Sequence, residues 1–280
     1  MKTNPYIFDG RKFAQEKLVR LKPSVDEFKK SGIKLKLASL IVGDNPGSKL
    51  YLDLKKKRGE EVGIEVKVVS LSLRSSTYEI INLIKNLNTD KTVNGIMVQL
   101  PLPDSFLEED KKKIIDSIDP KKDVDGLRED SLYIHPTVKA ILEVFEFSLN
   151  IVRLTLKDNP CTVCVVGATG MVGKPLVRKL KTQKFNNLTI KLIELDINSK
   201  NISEFTQTAD VIISCTGKPG LIKKEMIKKG VILLDVGSPD GDIEKNSYTK
   251  ASFVSPVPGG IGPVTIACLM ENVAESLGSR

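Results

Sequence analysis

The chain has 280 residues, of which 40% are hydrophobic and 28% charged, and its net charge is +8. This length suits one large domain or two ordinary ones, and this composition is that of a globular protein rather than a disordered one. The positive charge admits a nucleic-acid surface, solvated lysine faces, or attraction of an anionic small substrate. Aromatic residues make up only 5%, too few for a base-stacking surface, so no nucleic-acid partner is expected.

The sequence also predicts no membrane partner. No apolar run approaches the ~20 residues that would span a bilayer. The first residues, MKTNPYIFDGRKFAQ, lack the apolar core of a secretory signal, so we expect a cytoplasmic location.

The first half of the chain alternates predicted strands and helices. Residues 35–43 (LKLASLIVG) form a near-continuous apolar run, which is typical of a buried parallel strand. A helix is expected from about Ser48 to Gly63, a glycine that suits a helix C-terminus. The next predicted elements are a strand at 64–71, a helix at 78–88 and a strand at 94–100. This βαβ order predicts a parallel sheet with helices on its faces.

A loop-rich stretch at 101–130 and a helix at roughly 137–149 lead into a second alternation. The predicted strands are 161–167, 188–195, 210–215, 231–237 and 252–257, with helices after Gly173, Ile202 and Ile222 and a closing helix at 265–277. We therefore expect an α/β protein of two domains, with the boundary within residues 136–160.

The pair Cys161 and Cys164, in CTVC, raises the question of a metal or redox site. The surrounding CTVCVVG is typical of a strand, in which residues three apart point to opposite faces. Further ligands are lacking nearby, since the chain's only histidine is His135. The sequence therefore predicts a plain strand here and no metal site.

A glycine-rich turn, GATGMVG at 167–173, lies between a predicted strand and a predicted helix. Glycines let the backbone approach a pyrophosphate, and a helix N-terminus offers free N–H groups and partial positive charge. The spacing G-x-x-G-x-x-G differs from the usual G-x-G-x-x-G, so a turn without a ligand stays an alternative. Glu194 and Asp196 follow about twenty residues later, where an acid can accept from a ribose hydroxyl of NAD. A charged loop end is the alternative there.

Ser48, Tyr51 and Lys55 fall on one face of the first predicted helix. A lysine with a tunable pKa beside a tyrosine and a serine suits proton transfer, although one more surface lysine is the alternative. Short-chain dehydrogenases also contain Tyr-x-x-x-Lys, but there the pair follows the glycine turn, whereas here it precedes it.

Two further segments carry polar groups at favourable places. Gln99, in VQLPLP, ends a predicted strand, where parallel sheets bind ligands. Asp123 and Asp125 precede Gly126 in KKDVDGL, a pattern that is otherwise typical of a turn.

In combination these segments resemble the bifunctional methylenetetrahydrofolate dehydrogenase/cyclohydrolase family. The matching segments are SKLYLDLK, GIMVQLPLP, DPKKDVDG, VVGATGMVGKP, SCTGKPGLI, LLDVG, GDIE and PVPGGIGPVTIACLMEN. They stand in the family's order and span nearly the whole chain. The resemblance implies a folate-binding catalytic domain at 1–138, completed by a helix at 264–280, and a Rossmann dinucleotide-binding domain at 139–263, with the active-site cleft between them.

The implied activity is oxidation of 5,10-methylenetetrahydrofolate by NAD or NADP, followed by hydrolysis of the methenyl product to 10-formyltetrahydrofolate. It would serve one-carbon metabolism and purine biosynthesis, in a homodimer. A family member with one activity only and a catalytically silent folate- or nucleotide-binding protein stay as alternatives. Because a protonated lysine would repel the methenyl cation, we expect the pKa of Lys55 to be lowered.

The resemblance also implies roles for individual residues. Lys55 would be the catalytic lysine, Gln99 its partner and Asp125 the pterin ligand, with Tyr51 against the folate rings and Ser48 supporting the same cluster. The further substrate-binding residues that it implies are Val98, Leu100, Pro258, Gly259, Gly260, Ile261, Pro263 and Thr265. The cofactor-binding residues that it implies are Gly167, Ala168, Thr169, Gly170, Met171, Val172, Gly173, Glu194, Thr216, Gly217 and Ser238.

This chain departs from the family's pattern near the cofactor. Family members commonly have Arg where Ala168 stands and His-Ser where Glu194 and Leu195 stand. The missing Arg and the added acid both disfavour a 2′-phosphate, so we expect NAD rather than the family's usual NADP. His135 falls where the family has P-C-T-P, and we expect a structural role for it. Ser238 stands where the family often has an apolar residue.

Overall fold

The computed structural model describes residues 4–44, 46–152, 160–185 and 188–278, without the side chains of Pro46, Ser48 and Leu50. The chain forms two compact units, which we name by their sheets. The three-stranded unit comprises the described parts of Ala14–Pro136 and Ile266–Arg280, and the six-stranded unit those of Met1–Phe13 and Thr137–Thr265. In these parts of the chain, no helix has the length and apolar character needed to cross a membrane.

Nine strands and eight helices are found in the described residues. In chain order they are β1 (Tyr6–Ile7), α1 (Gly10–Lys30), β2 (Lys36–Val42), α2 (Pro46–Val62), β3 (Glu65–Leu71), α3 (Thr77–Thr89), β4 (Gly95–Val98), α4 (Glu108–Asp116), α5 (Pro136–Val152), β5 (Cys161–Val166), α6 (Gly173–Thr182), β6 (Ile190–Leu195), α7 (Ile202–Thr206), β7 (Val211–Ser214), β8 (Ile232–Asp235), β9 (Phe253–Ser255) and α8 (Ile261–Glu275). Single 3-10 segments lie at Lys224–Met226 and Lys245–Lys250.

The three-stranded unit is built on a parallel sheet in the order β3-β2-β4. The central strand β2 is buried along almost its whole length, which explains its apolar run. Leu40 of β2 pairs with Val98 at the end of β4, and the N–H of Gln99 extends this ladder to the carbonyl of Leu40 at 2.8 Å. Gln99 is therefore fixed at the carboxyl edge of the sheet, where parallel sheets bind ligands.

The six-stranded unit contains a parallel sheet in the order β1-β9-β8-β7-β5-β6. β5 is the first strand of the alternation, and its two successors in the chain lie on opposite sides of it. Such a reversal opens a crevice at the carboxyl ends of the strands, which is where dinucleotides bind in sheets of this type. The prediction of an α/β protein with parallel sheets in two domains is confirmed.

Three elements of the N-terminal half differ from the sequence predictions. α1 and β1 have no predicted counterpart, and α4 lies within the stretch predicted as loop. α4 is charged on most of its surface and buries only Ile114, so it shows little apolar periodicity. Its acidic first turn and basic last turn still favour a helix, because they complement the helix dipole.

The C-terminal half differs in two places. The helix predicted after Ile222 is a 3-10 segment at Lys224–Met226. The closing helix begins at Ile261, within the stretch predicted as a loop, and includes Pro263. A proline is tolerated there because the N–H groups of a first turn have no partner in the helix.

Residues 4–9, before α1, lie with the six-stranded unit, whereas the sequence interpretation assigned them to the folate-binding domain. The reason is the pairing of β1 with β9, in which Tyr6 lies opposite Phe253. The two rings are stacked with their centroids 5.5 Å apart. Aromatic stacking of this kind adds to the burial of apolar area and holds the short strand in place.

The fold leaves almost no room for a side chain at Gly173. A Cβ at Gly173 would come within 2.0 Å of the carbonyl oxygen of Gly167, whereas a Cβ at Gly262 would meet no atom within 4 Å. We expect Gly173→Ala to lower the free energy of unfolding by about 1–3 kcal/mol, as overpacking does. The helical Gly262→Ala should leave it unchanged or slightly raised. Chemical denaturation of both variants measures this difference. Equal midpoints would show that the turn accommodates a methyl group at Gly173 without loss of stability.

Candidate active site

Lys55 and Gln99 form a direct pair in the three-stranded unit. The Lys55 Nζ, on α2, donates a hydrogen bond of 2.9 Å to Gln99 Oε1, just beyond β4. The Gln99 Nε2 donates to the carbonyl of Leu100 at 2.8 Å. Because the Gln99 amide nitrogen is bound to a carbonyl, its oxygen is left to face the lysine.

Two opposing effects act on the Lys55 amine. Burial lowers the pKa of Lys55, and the negative charge of Asp125 raises it again to a smaller extent. The net direction is downward, because desolvation disfavours the charged form of an amine. Lys55 is therefore better able than a surface lysine to accept a proton near neutral pH.

The loop that carries Asp125 is held by its neighbour Asp123. Asp123 is 0% exposed, and its carboxylate accepts the backbone N–H groups of Leu127 at 3.3 Å and Arg128 at 2.9 Å. Burial raises the pKa of Asp123 to about 6 in spite of these donors. The two acids of KKDVDGL thus differ in role: Asp123 closes the turn, and Asp125 acts on Lys55.

His135 belongs to the same cluster, although the sequence analysis did not place it there. Burial lowers the pKa of His135, Lys55 lowers it further, and Asp125 opposes both. Gly126 explains the proximity: it has a φ of +62°, and a Cβ on it would lie 2.6 Å from the backbone N of His135. The two backbone segments therefore touch. The structural role expected for His135 stays a prediction, but its imidazole lies within electrostatic reach of Lys55 and Asp125.

The other residues assigned to the folate by resemblance are spread over several environments. Tyr51, one turn before Lys55 on α2, is 38% exposed and offers its ring at the surface. Val98 is fully buried in the core beside β2, so its side chain has no surface for a ligand, and Leu100 is half-buried. The side chain of Ser48 lies outside the described residues.

The segment 258–265, which includes the first turn of α8, belongs to the six-stranded unit. Its backbone is tightly packed: the N–H of Gly10 donates to the carbonyl of Gly259 at 2.8 Å, and a Cβ on Gly260 would lie 2.2 Å from Ser255 Oγ. Ile261 is only 2% exposed, so its side chain packs in the interior. Pro258 is exposed, and Pro263 and Thr265 are half-buried.

The glycine turn connects β5 to α6 as the sequence predicts. Gly167 has a φ of +90°, and its N–H and that of Ala168 donate to the carbonyl of Leu195 at 2.8 and 2.9 Å. A side chain at Gly167 would collide with the carbonyl of Cys215, 2.7 Å away. These contacts hold the turn close to the ends of β6 and β7, the geometry that a dinucleotide pyrophosphate requires.

Buried carboxylates organise the neighbouring strand ends. Asp242 Oδ2 accepts from Ser214 Oγ at 2.8 Å and from both the N–H and the hydroxyl of Thr216, at 2.7 and 2.8 Å. Asp235 accepts three backbone N–H groups of the loop after β8. These bonds position Thr216 and Gly217 after β7 and the exposed Ser238 after β8. Sequence reasoning did not identify either acid, since their donors lie in other elements.

Glu194 and Asp196 differ in their surroundings. Glu194 lies within β6 and forms an ion pair with Lys181 at 2.6 Å. Asp196 follows the end of β6, and the hydroxyl of Thr169, in the glycine turn, donates to its Oδ2. This bond lowers the pKa of Asp196. The sequence interpretation placed both acids at the end of this strand. In the structure Asp196 lies just beyond the end of β6, whereas Glu194 lies within the strand.

Comparisons with known proteins agree with this geometry. Residues 8–125 match the model of the tetrahydrofolate dehydrogenase/cyclohydrolase catalytic domain, and residues 138–280 match that family's NAD(P)-binding domain. Bifunctional protein FolD of Lachnoclostridium phytofermentans is 36% identical, with 95% of each chain covered.

Solved structures give the same result. The bifunctional methylenetetrahydrofolate dehydrogenase/cyclohydrolase FolD of Campylobacter jejuni is 32% identical, with a TM-score of 0.86 over 98% of this chain and 99% of the other. The Trypanosoma brucei enzyme, crystallised with NADP and an inhibitor, is 25% identical, with a TM-score of 0.87 over 99% and 98% of the two chains.

The Lys55–Gln99 bond can be tested without any substrate. Gln99→Met removes the acceptor from Nζ, so we expect the pKa of Lys55 to fall further, whereas Gln99→Glu adds a negative charge and should raise it. Competitive acetylation of Lys55 at a series of pH values, read by mass spectrometry, measures both shifts. Gln15→Met is the matched control, because Gln15 accepts from Arg58 instead. Unchanged Lys55 titration in both Gln99 variants would contradict the coupling.

Proposed function

The chain belongs to the tetrahydrofolate dehydrogenase/cyclohydrolase family, and we propose that it oxidises 5,10-methylenetetrahydrofolate with a nicotinamide dinucleotide and hydrolyses the methenyl product to 10-formyltetrahydrofolate. The observation that carries this proposal is the half-buried Lys55 side chain, whose amine is hydrogen-bonded to Gln99 and whose pKa is lowered although the charge of Asp125 raises it in part. A structural lysine at such a place would be expected to form a full ion pair with its pKa raised. The pKa of Lys55 is lowered instead, which suits a group that takes up and releases a proton.

In the dehydrogenase step the folate carbon between N5 and N10 loses a hydride and becomes a methenyl cation. The bound dinucleotide supplies the hydride acceptor, its nicotinamide ring. An uncharged Lys55 amine avoids repulsion of the cation that forms. The carboxylate of Asp125 is the acid that the family resemblance gives to the pterin ring, as acceptor for its N–H groups.

In the cyclohydrolase step a water oxygen bonds to the methenyl carbon and the water gives up a proton. We assign that proton to Lys55 Nζ, the basic group with the lowered pKa. Gln99 Oε1 then accepts a hydrogen bond from the ammonium, and the negative charge of Asp125 stabilises it. When the bond between that carbon and N5 breaks, the hydroxyl of the adduct becomes the carbonyl of the formyl group on N10 and its proton passes to N5.

The dinucleotide fits the glycine turn of the six-stranded unit. Side chains at Gly167 and Gly173 would collide with backbone, so the turn has the close approach that a pyrophosphate needs. Ala168 is buried and carries no charge for a 2′-phosphate. The Asp196 carboxylate would accept from the ribose hydroxyls and repel a 2′-phosphate, although Lys218 offsets part of its charge. NAD is therefore the cofactor that this site favours.

The family resemblance further implies a homodimer, and β6 is the sheet edge in the six-stranded unit opposite to β1. A strand at a sheet edge leaves backbone groups for a partner to pair with or cover. Sedimentation velocity of the purified chain distinguishes a dimer from a monomer, and a monomer at micromolar concentration would contradict this part of the proposal.

Removal of the Lys55 amine tests the chemistry. We expect Lys55→Met to lower the cyclohydrolase kcat by roughly 10²–10⁴, the usual contribution of a general base. The exposed neighbour Lys56 provides the control Lys56→Met, which should leave the rate as it is. The assay follows reduced cofactor and methenyl absorbance together. Methenyl hydrolysis without cofactor reduction would identify a cyclohydrolase only, and full turnover by Lys55→Met would refute the mechanism.

The cofactor proposal rests on Asp196. We expect the unmodified chain to show a higher kcat/KM with NAD than with NADP. Asp196→Ser should reduce this ratio by roughly tenfold or more, since a hydrogen bond to a charged group contributes about 1.5–3 kcal/mol. Glu194→Gln should leave the ratio unchanged, because Glu194 pairs with Lys181. A clear NADP preference of the unmodified chain, or an effect of Glu194→Gln alone, would overturn the assignment.

A further inference from the structure

Asn272, on α8, is connected to two distant loops of the three-stranded unit. It is 1% exposed, and its Nδ2 donates to the carbonyl of Val124 and to the carbonyl of Ile134, each at 2.9 Å. One side-chain NH₂ group thus uses both of its hydrogens on backbone acceptors in separate segments.

The two carbonyls stand next to the charged residues of the site. Val124 directly precedes Asp125, and Ile134 directly precedes His135. The segments also touch without an intervening side chain, since a Cβ on Gly126 would lie 2.9 Å from the Cα of His135. The backbone segments that carry Asp125 and His135 are therefore in contact with each other. The Asn272 side chain is hydrogen-bonded to both segments, one residue before Asp125 and one residue before His135.

The pairing matters because both residues interact with the catalytic lysine. Asp125 acts on the Lys55 amine, and Asp125 and Lys55 both act on the His135 imidazole. A Coulomb interaction changes with the separation of the charges, so a small movement of either segment changes the electrostatics at Lys55.

We propose that Asn272 is a positioning residue for the folate reaction, which sets the place of Asp125 and His135 relative to Lys55 through the carbonyls of Val124 and Ile134. The inference rests on the proposed function, because the role of Asp125 toward the pterin comes from it. Asn272 does not touch the reacting atoms in this scheme. Its effect is expected on folate binding and on the titration of Lys55 rather than on the dinucleotide.

Asn88 provides a matched control in the same unit. Its Nδ2 donates to the carbonyl of Ser117 at 2.8 Å, and its Oδ1 accepts the N–H of Asp119 at 2.9 Å. Asn88→Ala therefore deletes the same atoms and two hydrogen bonds to the backbone, but at Ser117 and Asp119 rather than at the residues next to Asp125 and His135. Both alanine variants should lose stability, so a lower melting temperature alone does not distinguish them.

The experiment compares Asn272→Ala and Asn88→Ala in the full-length chain, with methylenetetrahydrofolate and methenyltetrahydrofolate as substrates. For Asn272→Ala we expect kcat/KM for folate to fall on the order of tenfold, as for a displaced positioning group, with KM for the dinucleotide unchanged. The acid limb of the cyclohydrolase pH profile should move to lower pH, because a weaker interaction with Asp125 lowers the pKa of Lys55. Asn88→Ala should show neither change.

Should Asn272→Ala fail to fold, Asn272→Gln keeps the donor group but shifts it by one methylene, and the same changes are expected in smaller degree. Identical folate kinetics and pH profiles in the Asn272 and Asn88 variants would overturn this inference while leaving the proposed function intact. Absence of folate turnover in the unmodified chain would overturn both together.

Discussion

Two opposing influences act on the pKa of the Lys55 amine, and the proposed folate chemistry depends on their balance. Burial alone would hold the amine uncharged and unable to keep a proton, whereas full pairing with a carboxylate would make it a permanent cation. The structure combines burial with a single acid, Asp125, and a neutral acceptor, Gln99. A neutral acceptor can bind the amine in both protonation states, so Gln99 would hold the lysine in place during the proposed proton transfer.

This balance requires three segments of the chain to meet at fixed distances. α2 carries Lys55, the end of β4 carries Gln99, and the loop after Asp123 carries Asp125. The ladder between β2 and β4 fixes Gln99, because its backbone N–H continues the pairing. The loop joins β4 through an isolated bridge between Ile96 and Asp123. Buried side chains hold it further: Asp123 closes the turn from within and Asn272 binds it from α8.

The sequence predicts those features whose causes are local. The buried run of β2 and the glycine turn before α6 can be read from a few consecutive residues, and both are found as expected. The role of Lys55 did not follow from its helical spacing, which equally fits a surface lysine, and came from the resemblance of whole segments. Asn272 carries no local signal at all, since its acceptor at Val124 lies 148 positions away in the chain.

Glu194 and Asp196 show a second feature that the sequence did not predict, which is the residue at which β6 ends. Both acids follow the glycine turn by the expected number of residues. They differ because Glu194 lies within β6 and Asp196 lies beyond its end. Leu195 closes the strand by accepting from Gly167 and Ala168, so Asp196 is the first residue free to turn toward the glycine turn. Strand ends are uncertain from sequence by a residue or two, and here that uncertainty decides which carboxylate faces the glycine turn.

In each unit a buried aspartate binds the backbone N–H groups of a loop, and burial of its charge lowers the stability of the fold. Asp123 and Asp235 are fully buried acids that accept backbone N–H groups, and burial raises the pKa of each to about 6. An acid with a raised pKa stabilises the fold below its unfolded pKa of 3.8, and this contribution is lost as pH rises through about 6. At neutral pH each ionised carboxylate therefore costs about 2–3 kcal/mol relative to an unperturbed one. Asp123 lies in a loop that carries a proposed ligand-binding residue, and Asp235 ends β8 directly before another such loop. In these loops the direction of several N–H groups matters more than stability. A chain selected for stability alone would have little reason to bury either acid.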